Sequence, residues 1–214
     1  MARESKVELR QVFPTVLLEQ RLDALIPLNE RLREVILERE ARDPGISASN
    51  VSGWHSAADL LEWGLPECQT LSDAFVTAGR EMTAAMLPAG IKGRVRVRFH
   101  GGCWANVLRD GGYNRIHNHP GAVWSGCYYV AVGKAKPEPE HNGWIEFQDP
   151  RPGNLHGGKE RINPEPGKLL IFPGWLNHFV NPFRGDGERI SIAFNLDAEF
   201  VPESVAATQP APVS

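Results

Sequence analysis

Cysteine is scarce in this chain. Its three thiols, Cys68, Cys103 and Cys127, lie far apart among apolar neighbours in 214 residues. An odd, scattered set favours buried thiols over a disulfide frame or a zinc clip, and its spacing excludes a Cys-x-x-Cys signature. Long apolar runs are missing too: none approaches the ~18 residues needed to cross a bilayer, so no membrane association is expected. The opening stretch "MARESKVELRQVF" lacks the basic start, apolar middle and small-residue cleavage site of an export signal, and a cytoplasmic protein is expected. Neither sign of charge dominates. A net charge of −3 calls for no polyanionic partner, and nucleic acid is not an expected ligand.

What is present suffices for a core. Hydrophobic residues make up 42% of the chain, and its length suits one globular unit without internal repeats. After a short extended segment around "LRQVFPTVLL", residues Glu19 to Arg42 place Leu22, Leu25, Ile26, Leu32, Val35 and Ile36 at helical spacing among Glu and Arg. That spacing predicts an amphipathic helix broken at Pro27. "DPGISASNVSGWHS" is rich in turn formers and reads as a loop. A second helix is predicted from about Leu71 to Met86, with Ser72 as a partial capping signal.

From Gly93 onward the pattern changes to short alternating runs divided by Gly, Pro, Asn and Asp: "RVRVRF", "CWANVLR", "SGCYYVAV", "GWIEFQ", "GKLLIF", "HFVNP" and "RISIAFN". So many short strands predict a mainly β fold with flanking helices, a jelly roll or a related antiparallel sandwich. The expected organisation is an N-terminal helical segment over residues 1–92, packed on a core of residues 93–200, and a disordered tail at 201–214 that lacks bulky apolar residues. Arg94, Arg96 and Arg98 in "RVRVRF" read as the charged solvent face of an edge strand rather than a track for phosphates.

The stretch "NRIHNHPGAVWSGCYYV" sets His117 and His119 two apart before a buried run. In a strand such residues share a face, and two neutral imidazoles suit one divalent metal. With seven histidines in the chain, however, such a pair arises by accident in roughly one chain in four or five, and two hydrogen-bonding histidines at a turn explain it equally well. "GKLLIFPGWLNHFVNP" adds His178 at the start of a strand that returns from a Pro173-Gly174 turn. His55, His100, His141 and His156 lie in less ordered company. In "RISIAFN", alternation puts Arg189, Ser191, Ala193 and Asn195 on one face. If that face looks inward, a buried guanidinium needs an anion, and a carboxylate matches it best; a wet sheet face is the alternative.

The order His-x-(Asp/Glu), strand, distal His, then Arg-x-Ser about ten residues on is the pattern of Fe(II)/2-oxoglutarate-dependent oxygenases. His117-Asn118-His119, His178 and Arg189-Ile190-Ser191 resemble it. More narrowly, "HNHPGAVWSGCYYV", "IEFQDPR", "GKLLIFPGWLNHFVNP" and "RISIAFN" are similar to bacterial 2OG-Fe(II) oxygenases related to prolyl 4-hydroxylases. The resemblance covers about Trp104 to Asn195. It implies a double-stranded β-helix (jelly roll, cupin-like), with His117 and His178 as metal ligands and Arg189 and Ser191 on the distal carboxylate of 2-oxoglutarate. It further implies Fe(II) and 2-oxoglutarate as cofactor and co-substrate, O2 as oxidant, and hydroxylation of a peptidyl or small-molecule substrate with release of succinate and CO2.

His119 stands where the family has Asp or Glu. Either it completes a three-histidine set, the reading preferred here, or Glu146 in "GWIEFQDP" supplies a carboxylate. By parity Asn106 belongs near the site, and one of the adjacent Tyr128 and Tyr129 is placed to donate a hydroxyl to the co-substrate; Tyr128 is assigned here. Trp104, Trp124, Trp144 and Trp175 are expected in the core, with one of them free to line the pocket. Two rivals stay open. One is a cupin-type three-histidine enzyme, matched by the glycine-to-histidine spacings but not by the missing Glu after His-x-His. The other is a jelly roll that binds a metal or ligand without catalysis. The prime substrate carries no readable code, and a homodimer is left open.

Overall fold

A computed structural model describes residues 14–151 and 157–202. The expected tail lies outside the described residues from residue 203 onward, as do His156 and the first part of the N-terminal extended segment. In chain order the elements are β1 (Leu18–Arg21), a 3-10 turn (Asp23–Leu28), α1 (Asn29–Glu40), β2 (Asn50–His55), a short 3-10 turn (Leu60–Glu62), α2 (Pro66–Met86), β3 (Val95–His100) and β4 (Cys103–His117). They continue with β5 (Trp124–Ala135), β6 (Ile145–Gln148), β7 (Lys159–Ile162), β8 (Lys168–Pro173), β9 (His178–Val180) and β10 (Gly185–Pro202). No described helix is long and apolar enough to cross a membrane.

The strands form one curled sheet in the order β1-β8-β5-β10-β4-β9-β6-β7, with β2 also on β4 and β3 also on β10. The named pairings are antiparallel. This is the jelly roll: the long β4 pairs with β10 along its first half and with β9 at its end, so it carries the chain from one wall of the half-barrel to the other.

Strict alternation gives β5, β8 and β10 two different faces. On the convex face Trp124, Tyr128, Val130, Leu169, Ile171, Ile190, Ile192 and Phe194 join Leu32 and Ile36 of α1 and Leu71, Phe75, Ala78 and Met82 of α2 in one core. The helices therefore close one side of the sheet. On the concave face Cys127, Tyr129, Leu170 and Phe172 meet Ile145 and Phe147 of β6 in a smaller cluster. The curl leaves the rest of that face open as a cavity.

Three departures from the sequence reading have local causes. Leu18–Arg21 is a strand, because its backbone pairs with Lys168–Ile171, and only after the 3-10 turn holding Pro27 does an α-helix begin. Tertiary pairing outweighs helical spacing there. The loop expected over "DPGISASNVSGWHS" contains β2, hidden by its Asn, Ser and Gly; Ser52 has φ 52° and the register slips between Val51 and Gly53, so the strand is bulged. α2 starts at Pro66 rather than near Leu71, with proline in the first turn and no side-chain cap from Ser72. β7 was not legible in "KERI". β3 pairs with β10 alone among the described strands, with Val95, Val97 and Phe99 half-buried and Arg96 and Arg98 exposed, as an edge strand should be.

Candidate metal centre

His117 closes β4 and His178 opens β9, and the antiparallel register sets them directly opposite each other. Their ring centroids are 4.3 Å apart. His119 lies two residues beyond the strand, so strand alternation is not what brings it in. Instead its N–H donates to the Gly174 carbonyl at 2.8 Å, and its carbonyl accepts from Ala122 N–H at 3.2 Å. Gly174 permits this close docking: a Cβ there would collide with the Ala122 carbonyl. The result places the His119 ring 5.1 Å from His117 and 5.2 Å from His178. One ligand atom from each of the three lies within 4.8 Å of the others, and this is the His/Cys/Asp/Glu group among the described residues that could hold a metal ion.

The tautomers suit such a role. His117 Nδ1–H donates to the Arg115 carbonyl at 2.7 Å and His178 Nδ1–H to the Leu176 carbonyl at 2.9 Å. Each ring thus keeps its Nε2 lone pair, with only the Ser49 hydroxyl near that of His117, at 3.5 Å. Burial pushes His178 down to about 3 and His119 down to about 4, and neighbouring imidazoles add to both shifts. His117 is lowered by burial as well. Near neutral pH all three are neutral, the form that ligates a metal.

The histidines stand at one part of a cavity of about 550 Å³ whose wall also includes Arg189, Ser191, Asn106, Cys127 and Tyr129. Arg189 is 2% exposed. Its Nε–H donates to the Gly143 carbonyl at 2.9 Å, and its Cζ lies 5.1 Å from the Tyr129 ring centroid. No Asp or Glu pairs with it among the described residues, and none lines the cavity. A buried guanidinium without a counter-ion is costly, and it asks for an anion from outside. Two further polar atoms on this wall are buried without a hydrogen-bond partner, Tyr129 Oη and Asn106 Oδ1. Ser191 sits opposite both residues in the strand register.

Two assignments change. Tyr128 is not a site residue: its hydroxyl donates to Asn29 Oδ1 of α1 at 2.8 Å on the convex face, and its neighbour Tyr129 faces the cavity. Parity separates the two but does not say which face is concave. Glu146 also points away. Ile145 lines the cavity and Phe147 touches His178, whereas the Glu146 carboxylate meets Lys159 Nζ at 2.9 Å and Arg161 Nε at 2.6 Å across β7. Sequence reasoning missed His55, a buried imidazole on the cavity wall, because β2 read as a loop.

A family model described as "Putative 2OG-Fe(II) oxygenase" matches residues 102–195, the span from β4 into β10 that holds His117, His119, His178, Arg189 and Ser191. That span, a little under half of the chain, is similar to the 2OG-Fe(II) oxygenase superfamily. Members of this oxygenase superfamily use Fe(II) and 2-oxoglutarate, and the residues present fit both: neutral imidazoles for the metal, an unpaired buried arginine for a dicarboxylate. Curated proteins gave no sequence match. Among solved structures, the fold is similar to a Pseudomonas putida prolyl-4-hydroxylase, at 15% identity over 86% of this chain and 92% of that one, with a TM-score of 0.57. It is also similar to the epimerase SnoN from nogalamycin biosynthesis (14%, 94% and 88%, TM-score 0.62). A Trichoplax adhaerens prolyl hydroxylase, solved with a hypoxia inducible factor peptide fragment, matches at 11% over 91% and 87%, with a TM-score of 0.52. At these identities the likeness to the oxygenase structures concerns the fold.

Proposed function

We propose that this protein is a non-haem Fe(II)- and 2-oxoglutarate-dependent dioxygenase that hydroxylates a peptidyl or small-molecule substrate, with His117, His119 and His178 as the metal ligands. The observation that carries the reading is the pairing, in one cavity that no described carboxylate lines, of three clustered neutral imidazoles with a buried arginine that has no counter-ion among the described residues. Bound together, Fe(II) and 2-oxoglutarate supply the oxidising chemistry, consuming O2 and releasing succinate and CO2 as a substrate C–H bond is hydroxylated.

The chain's own residues bind and orient. Arg189 takes the distal carboxylate of 2-oxoglutarate through its terminal nitrogens, since Nε is spent on Gly143. Ser191 and Tyr129 donate hydroxyl hydrogens to that carboxylate, which gives the buried Tyr129 Oη its missing partner. Asn106 borders the same subsite. Trp104, Ile145 and Phe172 on the wall limit water around the reacting groups. A cupin-type enzyme would leave Arg189 without a function, and a plain binding module would hold an anion at Arg189 without turning over 2-oxoglutarate.

The test is anaerobic addition of Fe(II) and 2-oxoglutarate to the metal-free protein. A visible metal-to-ligand charge-transfer band should form in the wild type. In Arg189→Ala, 2-oxoglutarate should bind about 100-fold more weakly, the loss of a charged, bidentate contact. Iron binding with no band would overturn the co-substrate. Gain of one oxygen atom by a substrate, read by mass spectrometry, would separate hydroxylation from other outcomes.

A further inference from the structure

Two of the three clustered imidazoles are fixed from behind by a backbone carbonyl; the third is not. His119 makes no side-chain hydrogen bond among the described residues, and it sits on a loop, where no strand pleat limits its ring. What meets it is the Trp104 indole, with centroids 5.7 Å apart and planes inclined by 42°. Behind Trp104 lies His55, stacked nearly parallel at 5.5 Å and 12°. Such separations are those of attractive aromatic pairs.

The far end of this column is anchored. His55 is buried, and its Nδ1–H donates to the Ser56 carbonyl at 2.6 Å. Ser56 is tied to β4 in both directions, since its N–H donates to the Ala105 carbonyl at 3.0 Å and its hydroxyl oxygen accepts from Ala105 N–H at 3.0 Å. His55 itself pairs with Asn106 in the register of β2 on β4. Trp104 therefore stands between an imidazole locked into the sheet and one carried on a loop.

We propose that the His55–Trp104 stack is a positioning device that fixes the ring of His119, doing by aromatic contact what the Arg115 and Leu176 carbonyls do for His117 and His178. This rests on the reading of the three histidines as metal ligands. A metal-ligating imidazole is ordinarily oriented by a hydrogen bond to its second nitrogen, and loss of that support costs about 10–100-fold in metal affinity. A stack orients the ring without polarising it, so the support for His119 is geometric.

Co(II), followed by its visible d–d absorption, tests this in the full chain without turnover. Relative to wild type, Trp104→Leu should bind Co(II) about 10-fold more weakly, with an altered band shape, while far-UV circular dichroism stays unchanged; Trp104→Phe should recover most of the affinity. In a His119→Ala background the Trp104→Leu change should have no further effect, because no third ring remains to be held. Unaltered Co(II) affinity in Trp104→Leu, or an undiminished loss in the His119→Ala background, would overturn the proposal. If Trp104→Leu does not fold, His55→Leu decides: it keeps Trp104 and should weaken Co(II) several-fold, and wild-type affinity there refutes the stack. Failure of the underlying metal reading looks different, since His178→Ala would then bind Co(II) as the wild type does.

Discussion

Tyr128 and Tyr129 are neighbours in β5, yet they belong to different parts of the molecule. The Tyr128 hydroxyl is satisfied by Asn29 of α1 within the core between sheet and helices. The Tyr129 hydroxyl is equally buried but has no hydrogen-bond partner among the described residues, and Arg189, with no counter-ion among them, lies over its ring. The same contrast runs through the sheet. The convex face is mostly apolar, with Asn29 Nδ2 as an unsatisfied polar atom, whereas the concave face keeps imidazoles, a guanidinium, a thiol and two unsatisfied polar atoms, Tyr129 Oη and Asn106 Oδ1, around open space. Unpaired buried polar groups lower stability, so a face that concentrates them is built around something it binds. One side of the sheet holds the fold together, and the other is prepared for a metal and an anion.

Acid gives the largest expected test of that division. His178 and His119 titrate near 3 and 4 in the folded chain, and burial also lowers His117 and His55, against about 6.5 when unfolded. Depressed folded values mean that the unfolded state binds protons first. The stabilisation is therefore full above pH 6.5 and is lost as pH falls toward the folded values. From pH 6.5 to 5, above most carboxylate titrations, His178 alone accounts for about 2 kcal/mol. Urea unfolding of the metal-free protein should show a steep fall in this window, and His178→Leu should reduce its slope by up to one proton. A flat profile would mean that the cavity imidazoles are not buried neutral. The convex core cluster contains no histidine, so it supplies no such slope.

The tyrosine pair sharpens the comparison at about 1 kcal/mol on each side. Tyr129→Phe should weaken 2-oxoglutarate about 10-fold and leave stability nearly unchanged, since the hydroxyl lost has no protein partner. Tyr128→Phe should do the reverse: co-substrate binding as in the wild type, and about 1 kcal/mol lost in urea unfolding as Asn29 Oδ1 is orphaned. Equal effects of the two changes on 2-oxoglutarate affinity would erase the distinction between the faces.

How much of this was legible in the sequence follows from where each residue sits. Alternation in "RISIAFN" and "SGCYYVAV" fixed which residues share a face, and the jelly roll followed from the run of short strands. Which face is concave depends on the curl of the whole sheet, and for that reason Tyr128 was chosen over Tyr129. His117 and His119 meet through a docked loop and a glycine contact rather than a strand period, so the alternation argument for pairing them does not describe how they come together. His55 escaped notice because the bulged β2 carries Asn, Ser and Gly, the residues of a loop. Long-range pairing made it a strand.

The smallest effect concerns Glu146, the alternative source of a carboxylate for the metal. Its neighbours in β6, Ile145 and Phe147, face the cavity and His178, so the pleat turns Glu146 outward to Lys159 and Arg161. Those partners are 48% and 37% exposed, which screens the ion pairs, and Glu146→Gln should cost about 1 kcal/mol or less in urea unfolding. Co(II) affinity should be the same as in the wild type. A substantial loss of metal in Glu146→Gln would mean that the carboxylate turns inward when the ion binds, and the three-histidine set would give way to a mixed one. Unchanged affinity, beside a collapse in His119→Ala, leaves imidazole at the position where the family pattern has Asp or Glu.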